Sequence, residues 1–229
     1  YLATYLFAAI IQILNFLILI FIKIKKPRPS QKLNRPLSDV LLQKNLIIAI
    51  LAAAVGYSLM SFIMTATPLQ IVNVCKLGDS ASATVIQWHV IAMFAPSFFT
   101  GTIINSLGNR KVMMIGLFLY AFSISFTIIG QTIEHFWIAL FLCGLGWNFL
   151  YVGGSDIIAK SALPEERAKV QGVTDFIIFV FVATGSFLAG ALHSTLGWEI
   201  MMFYTSIPIF ILFMSIIIIK PDGGIKARY

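Results

Sequence analysis

Charge, cysteine and histidine are all scarce in this chain. Only 11% of its 229 residues are Asp, Glu, Lys or Arg, against 59% that are hydrophobic. A soluble domain carries roughly a quarter of its residues as charges, so this chain cannot present a solvated surface all round. The two cysteines, Cys75 and Cys143, sit in no C-x-x-C or Cys/His group, and neither a disulfide framework nor a zinc site is indicated. H-E-x-x-H is missing, which leaves a metalloprotease without ligands. No metal or cofactor is expected. Methionine is absent from position 1, and the first apolar run has neither a basic leader nor a small-residue cleavage site. The sequence therefore reads as a piece of a longer chain rather than one headed by a signal peptide.

Long apolar runs fill the space that charge leaves. A bilayer core needs roughly twenty apolar residues as helix, with every backbone group paired inside the segment. That length predicts seven helical spans, near 1–22, 46–74, 83–105, 112–131, 136–159, 173–194 and 199–219, in an all-α membrane bundle. The one long connection, 23–45, is rich in Lys, Arg, Pro and Ser and reads as a linker between two membrane units.

Sixteen Lys and Arg stand against nine Asp and Glu, a net charge of +7. The cations fall in short loops rather than on a polar face, which argues for topology and against nucleic acid. Lys23, Lys25, Lys26, Arg28, Lys32, Arg35, Lys44, Arg110, Lys111, Lys160, Arg167, Lys169, Lys220, Lys226 and Arg228 fall on one side of the spans, and Lys76 alone on the other. The crowded side is expected to be cytoplasmic, with the linker and the 220–229 tail there.

The six spans after the linker form two triplets. Ser58, Ser61 and Thr65 stand at i, i+3, i+7 in the first member of one, and Asn148, Tyr151 and Ser155 repeat that spacing in the other. Such spacing keeps side chains on one helical face, and the pair of polar stripes is expected to line a cavity.

The turn G-T-I-I-N-S-L-G-N-R-K, from Gly101 to Lys111, joins two apolar runs. It resembles the loop motif G-x-x-x-D-R-x-G-R-R/K between the second and third helices of each half of the major facilitator superfamily. Gly101, Gly108, Arg110 and Lys111 match, while Asn105 replaces the acid and Ser106 and Asn109 replace two other positions. P-E-E-R-A-K-V-Q-G, from Pro164 to Gly172, resembles the loop before the fifth helix of a half. The resemblance implies the sixth helix (1–22), the central linker (23–45) and the six-helix second half (46–219) of a transporter, with the N-terminal half of the same transporter as its partner in the bilayer. It also implies a secondary active transporter moving a small solute by alternating access, expected to be proton-coupled, with an efflux permease as one form. A bacterial inner membrane is the expected location. Gly101, Asn105, Gly108, Arg110, Lys111, Arg167 and Asp175 are the implied gating elements.

Candidate site residues follow from polarity within the spans. His89, expected about 8 Å inside the membrane from the helix rise, is a candidate for substrate recognition or proton coupling; the alternative is an interfacial histidine beside Trp88. Gln87 is a candidate beside it. Trp147, Asn148 and Tyr151 offer aromatic surface and an amide to a solute, or pack the core. Asp156 is expected to pair with Lys160, four residues on. Asp175 is expected in the first turn of its helix, facing the positive end of the dipole. A seven-helix receptor or sensor is the alternative, although the last span has no lysine for a Schiff base and the long basic linker is unexplained by it. An enzyme is not expected: beyond His89 no second histidine falls inside a span to accompany Ser155 in G-G-S-D, and His193 is expected in an outer loop.

Overall fold

The computed structural model describes residues 2–22 and 36–219. The expected linker over 23–35, the tail over 220–229, and the cations Lys23, Lys25, Lys26, Arg28, Lys32, Arg35, Lys220, Lys226 and Arg228 lie outside the described residues. The chain divides into two units, Tyr1–Asn34 and Arg35–Tyr229. The first holds a single apolar helix, α1 (Leu2–Phe21).

The second unit holds α2 (Leu37–Leu41), α3 (Lys44–Pro68), α4 (Asp79–Phe94), α5 (Ser97–Leu107), α6 (Asn109–Ile129), α7 (Ile133–Ser161), α8 (Arg167–Leu196) and α9 (Trp198–Ile218). No strand occurs among the described residues. α3 with the π-helical turn that follows it, α6, α7, α8 and α9 are each long and apolar enough to cross a membrane, and the bent pair α4–α5 passes the same test together. The chain is thus a helical membrane bundle. α2 falls inside the segment expected to be linker, and its Val40 is buried with Leu46, Ile158 and Val170 against the bundle.

α7 is the axis of this bundle, packed by α3, α4 and α6, while α8 lies along α3 and α9 along α6. Lipid is as apolar as the side chains, so helices associate in a bilayer by close packing rather than by hydrophobic burial. The glycines of α7 permit that approach. A Cβ on Gly144 would stand 2.7 Å from the His89 carbonyl oxygen of α4, and one on Gly154 would stand 2.7 Å from the Ala49 carbonyl oxygen of α3. Hydroxyls add the polar glue: Tyr120 of α6 donates to the Gly56 carbonyl of α3 at 2.6 Å, and Ser123 donates to Ala139 of α7 at 2.7 Å.

Two helix pairs turn on one residue. Gly108 (φ 83°) links α5 to α6, and Gly197 (φ 76°) links α8 to α9. Both combine positive φ with extended ψ, a region that is essentially glycine's own. L-G-N at 107–109 and L-G-W at 196–198 thus occupy the same place in the two triplets. The similarity is too short to stand out in the sequence.

Two expected spans are corrected in shape. The span at 83–105 is not one straight helix: α4 and α5 meet at 44° across Ala95 and Pro96. Proline has no N–H to continue the ladder and its ring crowds the preceding turn. The span at 46–74 is α-helical only to Pro68, then passes into a π-helical turn over Leu69–Val74.

Candidate functional site

The break between α4 and α5 is held from α7. Asn148, fully buried, donates through Nδ2 to the Met93 carbonyl at 2.8 Å and to Ser97 Oγ at 2.6 Å. Thr100 Oγ1 donates to its Oδ1 at 2.6 Å. Met93 precedes the break, and Ser97 and Thr100 follow it, so one amide bridges the bend. Its donors and acceptor are engaged inside the protein.

The neighbouring aromatic residues are arranged differently. Trp147 and Tyr151, one turn apart on α7, stack at 5.1 Å and 8°. Tyr57 of α3 stands edge-on to both, at 5.2 and 5.3 Å. Phe94, the last residue of α4, is edge-on to Trp147 at 5.8 Å, and Phe179 of α8 lies 5.9 Å from Tyr57. Phe94 and Phe179 are more than half exposed, so the cluster opens on a free surface of this unit. Trp147 itself is buried, and its indole Nε1–H finds no acceptor among the described residues.

Asp175 lies at the rim of this cluster, near enough to Tyr151 to act on it electrostatically, and accepts from Gln171 Nε2 at 2.7 Å. Its expected place in a first turn is corrected. α8 begins at Arg167, with Glu166 as N-cap, so Asp175 is two turns further into the helix. P-E-E-R closes the turn from Leu163 to Arg167 by backbone bonds and starts the helix earlier than Gly172. Arg167 is exposed at that start.

His89 and Gln87 are not brought together. Residues two apart on a helix point to different faces. His89 is fully buried between α4 and α7, its Nδ1–H donating to the Leu140 carbonyl at 2.7 Å, while its Nε2 has no partner among the described residues. Gln87 is exposed. The stripe on α3 divides as well. Ser58 donates to the Phe181 carbonyl at 2.8 Å and Ser61 bonds Ser186 at 2.6 Å, both on α8, whereas Thr65 is exposed. Ser58 also borders an apolar groove of about 560 Å³ between α3, α8 and α9.

The glycine-rich turn separates into internal and free residues. Asn109 donates to the Gly153 carbonyl at 2.9 Å and to Asp156 Oδ2 at 2.8 Å, and the same carboxylate oxygen pairs with Lys160 at 2.6 Å. Arg110 donates to the Ile217 carbonyl at 2.7 Å, where a cation meets the negative end of α9. Gly101, Asn105 and Lys111 are exposed.

A polar cluster beyond the candidates closes the opposite end. His193 Nε2–H donates to Gln70 Oε1 at 2.8 Å, Gln70 Nε2 donates to Gln131 Oε1 at 2.6 Å, and Cys75 Sγ–H donates to the same oxygen at 3.2 Å. Burial pushes the Cys75 thiol up from its ordinary pKa. Its members are scattered over the sequence from 70 to 193, so no local pattern announces the cluster.

The sequence profile of the Major Facilitator Superfamily matches residues 72–227. The chain is 41% identical over 201 residues to the "Riboflavin transporter RfnT" of Brucella anthropi, covering 87% of this chain and 50% of that protein. It is 35% identical over 153 residues to the "Uncharacterized MFS-type transporter YdeG" of Bacillus subtilis, 65% of this chain and 35% of that one. It is 21% identical over 156 residues to the "Multidrug resistance protein MdtL" of Shewanella oneidensis, 66% of this chain and 39% of that one. The chain spans half the length, or less, of these curated relatives.

Proposed function

Because the chain belongs to the major facilitator superfamily, we propose that it forms the C-terminal half of a secondary active transporter that carries a small solute through a bacterial inner membrane by alternating access. The N-terminal half of the same protein supplies the facing wall. The observation that carries this reading is the aromatic cluster that gathers Tyr57, Phe94, Tyr151 and Phe179 of α3, α4, α7 and α8 around the buried Trp147, with Phe94 and Phe179 exposed. Two rocking bundles place their solute between such surfaces near the membrane midplane. The linker and C-terminus are cytoplasmic in this reading, as the distribution of Lys and Arg requires. A receptor finds no support in these relatives.

Three acidic or basic side chains stand within the spans near this region, and their surroundings differ. Asp156 is taken by Asn109 and Lys160. His89 is sealed between two helices. Asp175 is half-buried at the rim of the cluster and is the one of the three neither ion-paired nor sealed between helices, and we assign the coupling role to it. Ionisable groups within membrane spans are costly and are retained for such work.

The identity to a riboflavin transporter makes riboflavin the first solute to test. The full-length protein in proteoliposomes should accumulate it under an imposed pH gradient. Asp175→Asn should flatten the pH dependence of uptake and His89→Gln should preserve it; loss of the dependence in His89→Gln alone would return the coupling role to His89. Absence of transport for riboflavin and for a panel of neutral and cationic solutes would overturn the transporter reading.

A further inference from the structure

Polar and apolar surface are unevenly divided over the proposed site. Asn148, the one amide near its centre, is spent on the α4–α5 break. Ser58 and Ser61 are spent on α8. What remains open is ring surface on Phe94 and Phe179 and, in part, on the half-buried Tyr57 and Tyr151, with Trp147 buried behind them. Within the cluster the Trp147 indole N–H is buried without an acceptor among the described residues. A buried donor with no partner costs roughly 1–3 kcal/mol, and tryptophan usually finds a partner for it. A sugar or a compact amino acid would leave the rings unmatched, since such solutes are gripped by many convergent polar groups.

Resting on the transporter reading, we propose that Trp147 is the specificity-determining residue of this half: the solute's flat, fused nitrogen-heteroaromatic ring inserts among Tyr57, Phe94, Tyr151 and Phe179, which stack it, and Trp147 behind them donates its Nε1–H to a ring nitrogen or carbonyl. Rings prefer offset-stacked or edge-on neighbours at 4.5–7 Å, the spacing at which these five already stand. A heteroaromatic ring supplies both the apolar face and, at its edge, an acceptor for the N–H. Asp175 with Gln171 at the rim is placed to meet hydroxyls on a substituent.

Riboflavin is a suitable probe because its ring is fluorescent and is quenched when stacked on Trp or Tyr. Titrated into the purified full-length protein in detergent, it should lose fluorescence on binding. Trp147→Leu, which removes the donor and the ring that backs the other four, should weaken the affinity at least roughly tenfold. Trp147→Phe, which keeps a ring and the fold but not the donor, should retain the quench with an affinity lowered by about three- to tenfold. Absence of a saturable quench in the wild type, or an unchanged affinity in Trp147→Leu, would overturn the assignment. Because this readout is equilibrium binding, transport of a non-aromatic solute by protein that does not bind riboflavin would overturn the substrate class while leaving the transporter reading intact.

Discussion

Asn148 shows how a residue picked out by sequence acquires its role only from its neighbours. A lone amide in an apolar run was legible as special, since burying it unpaired would be costly. Its three partners are 48 to 55 positions away, and nothing in the local pattern names them. Trp147, adjacent in sequence, points to different company and keeps a free donor. Asn148→Ala should therefore act on stability. With polar contacts in membranes worth about 1–2 kcal/mol, the melting temperature of the purified full-length protein should fall by roughly 2–6 °C. Ser97→Ala, which removes one bond of the three, should cost less in the same measurement.

The elements were legible as lengths of apolar sequence, less so as shapes. The span at 83–105 appeared as one run because Ala95 and Pro96 keep it apolar, although the proline was itself the available signal for the bend. The start of α8 was misplaced for a related reason: Pro164 and two glutamates looked like loop, whereas Pro and acids are what a helix N-terminus favours. Pro96→Ala restores an N–H and removes the ring clash, a penalty of up to roughly 3 kcal/mol. The variant should melt at a higher temperature than the wild type, and its riboflavin uptake should be slower by at least about fivefold, if the bend serves the rocking motion. Uptake at the wild-type rate would make the bend a packing feature alone.

At the scale of the molecule, the proposed function makes the second unit one side of a larger assembly. α8 has 17% of its apolar window buried, against 61% for α3 with its π-helical turn, so in that reading its outward face is left for lipid and the N-terminal half. The turn at Gly101–Lys111 divides along the same line: Asn109 and Arg110 bind within the unit, and Asn105 is exposed, which in the proposed transporter leaves it available to the other half. A carboxylate there would meet a helix end more strongly than a neutral amide. Asn105→Asp should shift the full-length protein toward one gate state, measured as opposite changes in the labelling rates of single cysteines placed on the two membrane faces. Equal rates before and after would show that the position does not set the balance.

Composition and periodicity by themselves determined that this chain is a bundle of membrane helices, because a bilayer leaves an apolar run of that length no other way to satisfy its backbone. They also yielded the turn motif, since Gly108 must be glycine to hold a positive φ wherever the chain is placed. The tertiary structure alone decided which polar residues are consumed in packing and which keep an unmet hydrogen bond. Hydrogen bonds between helices depend on rotation and approach, and the approach in turn depends on glycines such as Gly144 and Gly154 whose partners lie on other helices. Thus His89 and Asn148 are enclosed, and Trp147 keeps a donor to offer.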